Sequence, residues 1–280
     1  MSGALAIRWN GQPVAQIPAL SRGLHYGDGV FRTLLLHDGA MVAADAQLDR
    51  LLADAAALGI AAPPLARLQA ELVAAACFGN GTVKLLLLRA GERRGYRPET
   101  DAADCLLIVY PPSARGSAAA IEGIKAIRSP VTLAAQPLLA GIKHLNRLEQ
   151  VLASRDWPAG VDEAILGDDR GQPVCATRAN LFWVRHGVLH TPALDRCGVA
   201  GVTRSRLLAL AAAADIECRI GSQPWSALLA ADEAFLSGSL IGIWPLRAID
   251  GHCYEAARPV TRRLQGLLAH PSDVVPLNAR

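Results

Sequence analysis

One lysine stands out in this chain, because the sequence builds nearly all of its positive charge from arginine. Of 28 lysine and arginine residues, only Lys84, Lys125 and Lys143 are lysines. A lysine amine can add to an aldehyde and form an imine, whereas the delocalised guanidinium of arginine cannot. Lys143 lies in the run Gly-Ile-Lys-His-Leu-Asn-Arg-Leu-Glu-Gln at positions 141–150. It is therefore the candidate nucleophile, with an ordinary surface amine as the alternative.

Three other places in the sequence could bind a phosphate group. The guanidinium fork of Arg50 matches phosphate geometry, although most arginines on helices are simply solvated. The stretch Gly201-Val202-Thr203 opens a predicted helix, whose first N–H groups and positive dipole end favour an anion. Thr203 could also be a plain N-cap, which is compatible with that role. Ser237-Gly238-Ser239 is a small polar turn, and alone such a turn is more often only a turn.

The composition favours a folded protein that binds small molecules over one that binds nucleic acid or spans a membrane. A length of 280 residues, with 51% hydrophobic and 19% charged residues, predicts a sizeable packed core in one or two domains. The net charge of +3 is small and the arginines are scattered, so no nucleic-acid surface is predicted. No apolar run reaches the ~18 residues that a membrane span needs.

The cysteines and the first residues indicate a reducing compartment. The six cysteines show no CxxC and no paired spacing, which predicts reduced thiols, several of them in the core. Residues 1–8 lack a basic region followed by a long apolar stretch, so no secretory signal is visible. We therefore expect a cytoplasmic protein, and no metal site is predicted.

The elements that must position the candidate residues follow from the apolar patterns. Arg50 falls on a helix that we expect to begin with Asp45 as its N-cap and to end at Gly59. The other predicted elements of the first third are strands at 4–9, 30–36, 40–43, 83–88 and 106–110 and a helix at 65–76.

The rest of the chain repeats this mixture of strands and helices. The predicted elements are strands at 121–127, 163–166, 181–184, 188–190, 235–236 and 241–246 and helices at 145–154, from near 203, and at 260–268. The stretch Pro111–Ser117 breaks every pattern. We therefore predict an N-terminal α/β lobe at 1–112, a linker at 113–120 and a C-terminal α/β lobe at 121–280 that carries Lys143.

The chain resembles a known family, the fold-type IV enzymes that use pyridoxal 5′-phosphate (PLP). This group includes branched-chain and D-amino-acid aminotransferases and 4-amino-4-deoxychorismate lyase. The resemblance spans nearly the whole chain and rests on residues 139–152, Asp162-Glu163-Ala164 and Ala179-Asn180-Leu181-Phe182-Trp183. The first stretch is specific and most similar to the lyase, whereas the other two are weak alone but lie at the expected separations. The resemblance implies a two-lobed, mixed α/β (α+β) fold like that of D-amino-acid aminotransferase, PLP bound to Lys143, and a homodimer.

The resemblance also implies roles for other residues. The PLP phosphate would be held by Arg50, Val202, Thr203 and Ser239. Phe31, which follows Tyr26-Gly27-Asp28-Gly29-Val30, would line the substrate pocket. Arg94 and Tyr96 resemble residues of a loop that meets the substrate carboxylate, although an exposed polar loop is an equal alternative for them.

Cys175 is the main departure from the family pattern. In the family, a glutamate five residues before the Asn-Leu-Phe asparagine keeps the pyridine nitrogen of PLP protonated, so that the ring accepts carbanion charge. Counting back from Asn180 reaches Cys175, and a thiol is mostly neutral at neutral pH. This difference disfavours transamination more than it disfavours an elimination that ends in an aromatic ring. A plain buried thiol, with another group in the glutamate's role, is the alternative.

Three functions are consistent with these residues. The resemblance implies a PLP-dependent carbon–oxygen lyase that converts 4-amino-4-deoxychorismate to 4-aminobenzoate and pyruvate, a step of folate biosynthesis. The second hypothesis is an aminotransferase acting on D- or branched-chain amino acids. The third is a non-catalytic binding protein with the PLP-enzyme fold.

Overall fold

The computed structural model describes residues 3–112 and 117–272. By its internal contacts the chain divides into two compact units. Unit 1 contains Met1–Ala114 and Ile142–Asn146, and unit 2 contains Arg115–Gly141 and Arg147–Arg280.

This division differs from the sequence division in one respect that matters for the site. The five residues around Lys143 group with unit 1, although the flanking chain on both sides belongs to unit 2. We had expected Lys143 in the C-terminal lobe. Residues 113–116 of the predicted linker lie outside the described residues, and from Ser117 the chain is helical.

Unit 1 is built on a six-stranded antiparallel sheet with the strand order β2-β1-β6-β5-β3-β4. Its elements are β1 (Ala6–Trp9), β2 (Gln12–Pro13), α1 (Arg22–Tyr26), β3 (Gly29–His37), β4 (Ala40–Met41), α2 (Ala44–Ala57), α3 (Leu65–Ala76), β5 (Gly81–Arg89) and β6 (Ala103–Tyr110).

Alternation along the central strands separates the two faces of this sheet. Val30 and Leu34 of β3 belong to a core cluster that also contains Leu48 and Leu51 of α2. Since side chains alternate between faces, the next residue, Phe31, belongs to the opposite face with Leu86 and its neighbours. The same alternation places Arg32 on the face of Val30 and Leu34, where it is buried.

Helix α2 begins two residues earlier than the sequence suggested. Its N-cap is Ala43, in a left-handed conformation and without a side-chain capping bond, so the prediction that Asp45 is the cap was wrong. Asp45 instead lies in the first turn, where a carboxylate still favours the positive end of the helix dipole. Gly59, with φ of 63°, follows the helix end as predicted.

Unit 2 contains a nine-stranded mixed sheet. Its elements are α4 (Ser117–Glu122), β7 (Ile124–Leu133), α5 (Leu148–Ala153), β8 (Glu163–Asp168), β9 (Pro173–Ala176), β10 (Asn180–Arg185), β11 (Val188–Thr191), α6 (Val202–Ala213), β12 (Cys218–Ile220), α7 (Trp225–Leu229), β13 (Glu233–Gly238), β14 (Gly242–Ile249), β15 (His252–Cys253) and α8 (Pro259–Leu268). The strand order is β12-β11-β10-β13-β14-β7-β8-β9, and β15 pairs with β14.

An additional pairing between β9 and β10 closes six strands of this sheet into a ring. The pairing joins Asn180 to Cys175, so two residues singled out by the sequence are direct neighbours in the sheet. Strand β9 was not predicted, because it has only four residues and begins with a proline, which is a weak strand signal.

Five other short elements, α1, β2, β12, α7 and β15, were not predicted either, and further differences lie at the ends of elements. Residue Ile121, predicted as strand, belongs to α4, and β7 begins at Ile124. Helix α5 is shorter than the predicted 145–154, because His144 forms a β-bridge with Val30 and the chain becomes helical only at Leu148. In the described part of the chain, no helix has both the length and the apolar character that crossing a membrane requires.

Candidate active site

The segment that carries Lys143 is held against the first residues of β3. The backbone N–H of Phe31 donates to the Lys143 carbonyl at 3.0 Å, and the N–H of Leu145 donates to the Gly29 carbonyl at 3.0 Å. His144 forms an antiparallel bridge with Val30 between these two bonds. The position of the lysine backbone is therefore fixed by β3, although the lysine lies more than a hundred residues away in sequence.

A close approach just before β3 explains why this turn contains glycine. Gly27 has φ of 63°, and a Cβ atom there would lie 2.5 Å from Oδ1 of Asn146. Any other residue would be strained in its backbone and would also displace the asparagine. The Gly27–Asn146 contact thus holds the end of the lysine segment.

The amine of Lys143 lies over an aromatic ring that a second lysine shares. Nζ of Lys143 is 4.6 Å from the ring centroid of Phe31, and Nζ of Lys84 is 4.7 Å from the same centroid. Both contacts have cation–π geometry. Burial lowers the pKa of the Lys84 amine below its ordinary value. Phe31 was predicted to line the substrate pocket, and that role stays a prediction; the structure shows its ring beside the amine of Lys143.

Lys84 was missed by the sequence analysis. The scarcity of lysine was a signal for Lys84 as well, but it was used only for Lys143. In the structure, two of the chain's three lysines contact the same aromatic ring. A partly buried amine beside a candidate nucleophile is suited to binding an anionic group of a substrate.

A single buried carboxylate joins Arg50 to the lysine segment. Asp54 of α2 forms an ion pair with Arg50 one turn earlier, with Nε of Arg50 2.9 Å from Oδ1. Its other oxygen accepts a hydrogen bond from the Lys143 backbone N–H at 3.0 Å and pairs with the buried Arg32 of β3. The structure therefore brings Arg50, Lys143 and Phe31 into one part of unit 1.

The loop that contains Arg94 and Tyr96 is held through its backbone. The guanidinium of Arg22 donates to the carbonyls of Gly95 at 2.9 Å and Tyr96 at 3.0 Å, and it pairs with Asp28 at 2.9 Å. The side chains of Arg94 and Tyr96 are exposed. Their role toward the substrate stays a prediction.

In unit 2, the N-terminus of α6 presents backbone N–H groups. Gly201 is its N-cap, in extended conformation and without a side-chain capping bond, so Thr203 is a helix residue and not the N-cap. A Cβ atom at Gly201 would lie 2.2 Å from Oδ1 of Asn180, whose amide donates to the Val199 carbonyl at 2.7 Å. Glycine is needed here because the asparagine of β10 packs directly on the helix start. Val202 and Thr203 are both buried.

The turn after β13 carries the other predicted phosphate ligand. The Ser239 carbonyl lies 3.0 Å from Nε2 of His270, which fixes the turn. Two residues earlier, Ser237 pairs with Asn180 in the sheet register, and within the described chain its fully buried hydroxyl has no hydrogen-bond partner. Polar groups of β10, β13 and α6 therefore lie in one region of unit 2.

Cys175 is buried among apolar side chains. Its cluster contains Leu133, Ala153, Leu166, Val174 and Cys197. Burial, with a smaller effect of Cys197, raises the pKa of the Cys175 thiol to about 12, and the charge of Arg147 acts in the opposite direction. The thiol is therefore neutral at physiological pH.

Glu163, an acidic residue whose charge acts on Cys175, is already bonded elsewhere. Glu163 is buried, accepts a hydrogen bond from the Thr177 hydroxyl and pairs with Nε of Arg178 at 3.1 Å. The same carboxylate accepts the N–H groups of Ala164 at 3.0 Å and Thr177 at 3.3 Å. This geometry does not support Glu163 as a substitute for the glutamate that Cys175 replaces.

Each unit, taken by itself, contains groups that suit part of a phosphorylated aldehyde, with one exception. In unit 1 these are the amine of Lys143 and the oriented guanidinium of Arg50. In unit 2 they are a helix N-terminus without a side-chain cap and a buried Ser237 hydroxyl that has no hydrogen-bond partner within the described chain. These are the groups that bind phosphate and form an imine. The exception is the neutral thiol at position 175.

The fold and these groups define an enzyme of the PLP-dependent class. The sequence model described as amino-transferase class IV matches residues 29–249. The chain belongs to this family, which confirms the resemblance, the fold-type IV architecture and the PLP cofactor predicted from the sequence.

Individual relatives include both lyases and aminotransferases. An aminodeoxychorismate lyase from Vibrio harveyi is 31% identical, with 92% of this chain and 98% of the relative covered. The structure of a 4-amino-4-deoxychorismate lyase from Pseudomonas aeruginosa is 38% identical with a TM-score of 0.90, covering 96% of this chain and 100% of that chain. A branched-chain-amino-acid aminotransferase from Escherichia coli K12 is 29% identical, covering 92% of this chain and 88% of the relative.

The raised pKa of Cys175 leads to a prediction about thiol reactivity. Only the thiolate reacts with iodoacetamide, and for Cys175 it forms only as the pH approaches about 12. At pH 8 the folded protein should therefore be alkylated at the exposed Cys77 and Cys253 but not at Cys175. Peptide mass spectrometry measures the three sites, and denatured protein, labelled at all of them, is the control. Labelling of Cys175 at the rate of Cys77 in the folded protein would contradict the assigned burial.

Proposed function

We propose that this protein is a PLP-dependent lyase that converts 4-amino-4-deoxychorismate to 4-aminobenzoate and pyruvate, a precursor step in folate biosynthesis. The observation that carries the proposal is the segment around Lys143, whose sequence is lyase-like and whose amine lies 4.6 Å from the Phe31 ring centroid. Support also comes from two lyases that match more than nine-tenths of the chain.

The residues that would hold PLP are those that the family resemblance implies. Lys143 would bind its aldehyde carbon, and Arg50, the amides of Val202 and Thr203, and Ser239 would bind its phosphate. When bound, PLP supplies an electron sink for the substrate carbon that carries the amino group.

Lys143 would also move the proton in the reaction. Its amine would act as the general base on the carbon that bears the substrate nitrogen. The adjacent carbon–oxygen bond then breaks, pyruvate leaves, and the six-membered ring becomes aromatic. Aromatisation provides driving force that a transamination lacks.

The remaining residues would bind and orient the substrate. Phe31 provides an apolar wall, and Arg94 and Tyr96 meet a carboxylate from the exposed loop. Lys84 adds a cation on the same aromatic ring, which suits a substrate that carries two carboxylates.

The second candidate function is transamination, because branched-chain aminotransferases are also among the relatives. Cys175 weighs against it, since a neutral buried thiol is a poor partner for a protonated pyridine nitrogen. A third possibility, a PLP-fold binding protein without catalysis, is disfavoured by the retained lysine and by membership in a family of enzymes.

One pair of measurements separates the three functions. The purified protein is incubated with aminodeoxychorismate while 4-aminobenzoate and pyruvate are followed, and in parallel with amino and keto acids. Stoichiometric release of both products supports the lyase, and keto-acid exchange at an equal or greater rate supports the aminotransferase. If the protein has neither activity and shows no visible absorption that borohydride bleaches, the result supports the third function, a binding protein.

The role of Lys143 can be tested by substitution. Lys143→Ala should abolish the borohydride-sensitive visible absorption and reduce lyase turnover to background, because the amine is the reacting group. Lys143→Arg should do the same despite keeping the charge. Lys125→Ala, at an exposed lysine of β7, is the matched control and should behave as wild type. Near-normal turnover of Lys143→Arg would exclude Lys143 as the nucleophile.

The role of Cys175 can be tested by restoring the carboxylate. Cys175→Glu should raise half-transamination with D- or L-amino acids more than it changes 4-aminobenzoate formation, because a glutamate carboxylate would stabilise the protonated ring nitrogen. Cys175→Ala removes the thiol without adding charge and should leave the ratio of the two rates unchanged. A wild type that transaminates as fast as it eliminates would contradict both this electronic argument and the lyase assignment.

We also propose a cytoplasmic homodimer. All six cysteines are free thiols, which supports a reducing compartment. Helix α5 has an uncovered apolar face, on which Leu148, Val151 and Leu152 are 75%, 60% and 52% exposed. These residues follow the i, i+3, i+4 spacing of one helix face, so a second copy of the chain would find an apolar contact there.

The dimer proposal can be checked by charging this face. Val151→Glu should shift the protein toward monomer in sedimentation velocity, because a carboxylate would be buried without a partner. A substitution on another exposed apolar residue, Val73→Glu of α3, is the control and should leave the oligomeric state unchanged. A wild-type protein that sediments as a monomer at micromolar concentration would overturn the proposal.

A further inference from the structure

The carboxylate of Asp54 is shared by three parts of unit 1. It is 1% exposed and meets Arg50 of its own helix, Arg32 of β3 and the backbone N–H of Lys143. Of these three partners, only Arg50 is close to Asp54 in sequence, one helical turn before it. The buried Asp54 carboxylate thus contacts both the Arg50 guanidinium and the lysine segment.

The charges around Asp54 do not cancel completely. Two arginines surround one aspartate, so the group carries one net positive charge. Arg32 is 3% exposed, whereas the Arg50 side chain is one-third exposed. Burial lowers the pKa of the Arg32 guanidinium to about 10, which leaves it charged at neutral pH. Arg32 therefore compensates the carboxylate inside the core, and the charge of Arg50 remains to attract an anion.

We propose that Asp54 is a positioning residue that fixes the Nε edge of Arg50 and, through the Lys143 backbone, sets the reactive lysine at a fixed place relative to that guanidinium. Arg32 is the counterion that lets Asp54 orient Arg50 without neutralising it. The proposal rests on the proposed binding of PLP, whose phosphate would contact Arg50 while its aldehyde carbon reaches Lys143.

The physical basis is preorganisation. A partly exposed arginine has many rotamers, and fixing one of them before the ligand arrives lowers the entropy lost on binding. Holding the guanidinium and the lysine backbone with one carboxylate also keeps constant the distance that a rigid cofactor must span. Such a role predicts that the effect of substituting Asp54 on PLP affinity depends on the presence of Arg50.

The test is a double-mutant cycle on PLP affinity in the full-length chain. Arg50→Met and Asp54→Asn should each weaken PLP binding about tenfold or more, as expected for lost bonds to charged groups. In the Arg50→Met background, Asp54→Asn should change the affinity less than about threefold, because the effect is transmitted through Arg50. The proposal would be overturned if the two substitutions weakened PLP affinity multiplicatively in the double variant, or if Asp54→Asn alone left PLP affinity unchanged.

Two further variants separate positioning from stability. Asp54→Asn leaves the Arg32 charge buried without its partner, so Asp54→Asn/Arg32→Met removes both charges and should restore thermal stability while PLP affinity stays low. Asp49→Asn, at an exposed position on the same helix, is the control and should keep wild-type affinity. If the double variant regains wild-type PLP affinity together with stability, Asp54 is only structural and the proposal fails.

Hydrogen exchange gives a readout that needs no activity. The amide of Lys143 should exchange faster in Asp54→Asn than in wild type or Asp49→Asn, because its acceptor is weakened. Unchanged exchange at Lys143 would contradict the proposed link. If Arg50→Met itself keeps wild-type PLP affinity, both the phosphate role of Arg50 and this inference fail. If the cycle behaves as expected but the wild type releases no 4-aminobenzoate, the lyase function fails and the positioning role stands.

Discussion

A buried carboxylate must be surrounded by donors, and in unit 1 this requirement determines where Lys143 lies. Asp54 accepts from Arg50, Arg32 and the Lys143 backbone, so helix, strand and lysine segment are joined by a single group. Removing a partner would leave a buried charge unsatisfied, which costs far more than an exposed ion pair contributes. The hydrogen bonds between residues 143–145 and β3 complete this arrangement.

Most of the fold was predictable from the sequence, and the helix Leu65–Ala76 was predicted at the bounds it has. Lys143 was singled out because imine formation requires its side-chain type, and its role stays a prediction. The short strand at Pro173–Ala176 was not predicted, because its stability comes from partners on both sides and not from its own pattern.

The sequence nevertheless contained a signal for the Asp54–Arg32 pair. Arg32 alternates with Val30 and Leu34 on an apolar strand face, and Asp54 lies three residues after Leu51 on the apolar side of its helix. A charge on an apolar face is costly unless it is paired, so two opposite charges on facing elements predict each other. Pattern analysis of single elements misses this, because it treats each charged residue as a break and does not compare two elements.

The electrostatics of the two units differ, and the difference bears on the reaction. Unit 1 offers a net positive group and two amines on one ring, which suit anionic ligands. In unit 2, the position expected to hold a carboxylate holds a neutral thiol, with the Arg147 charge acting on it. A neutral thiol in the place of the glutamate would stabilise charge on a pyridine ring only weakly. An elimination that gains aromaticity tolerates that weakness, whereas repeated transfer of an amino group depends on the ring as an electron sink.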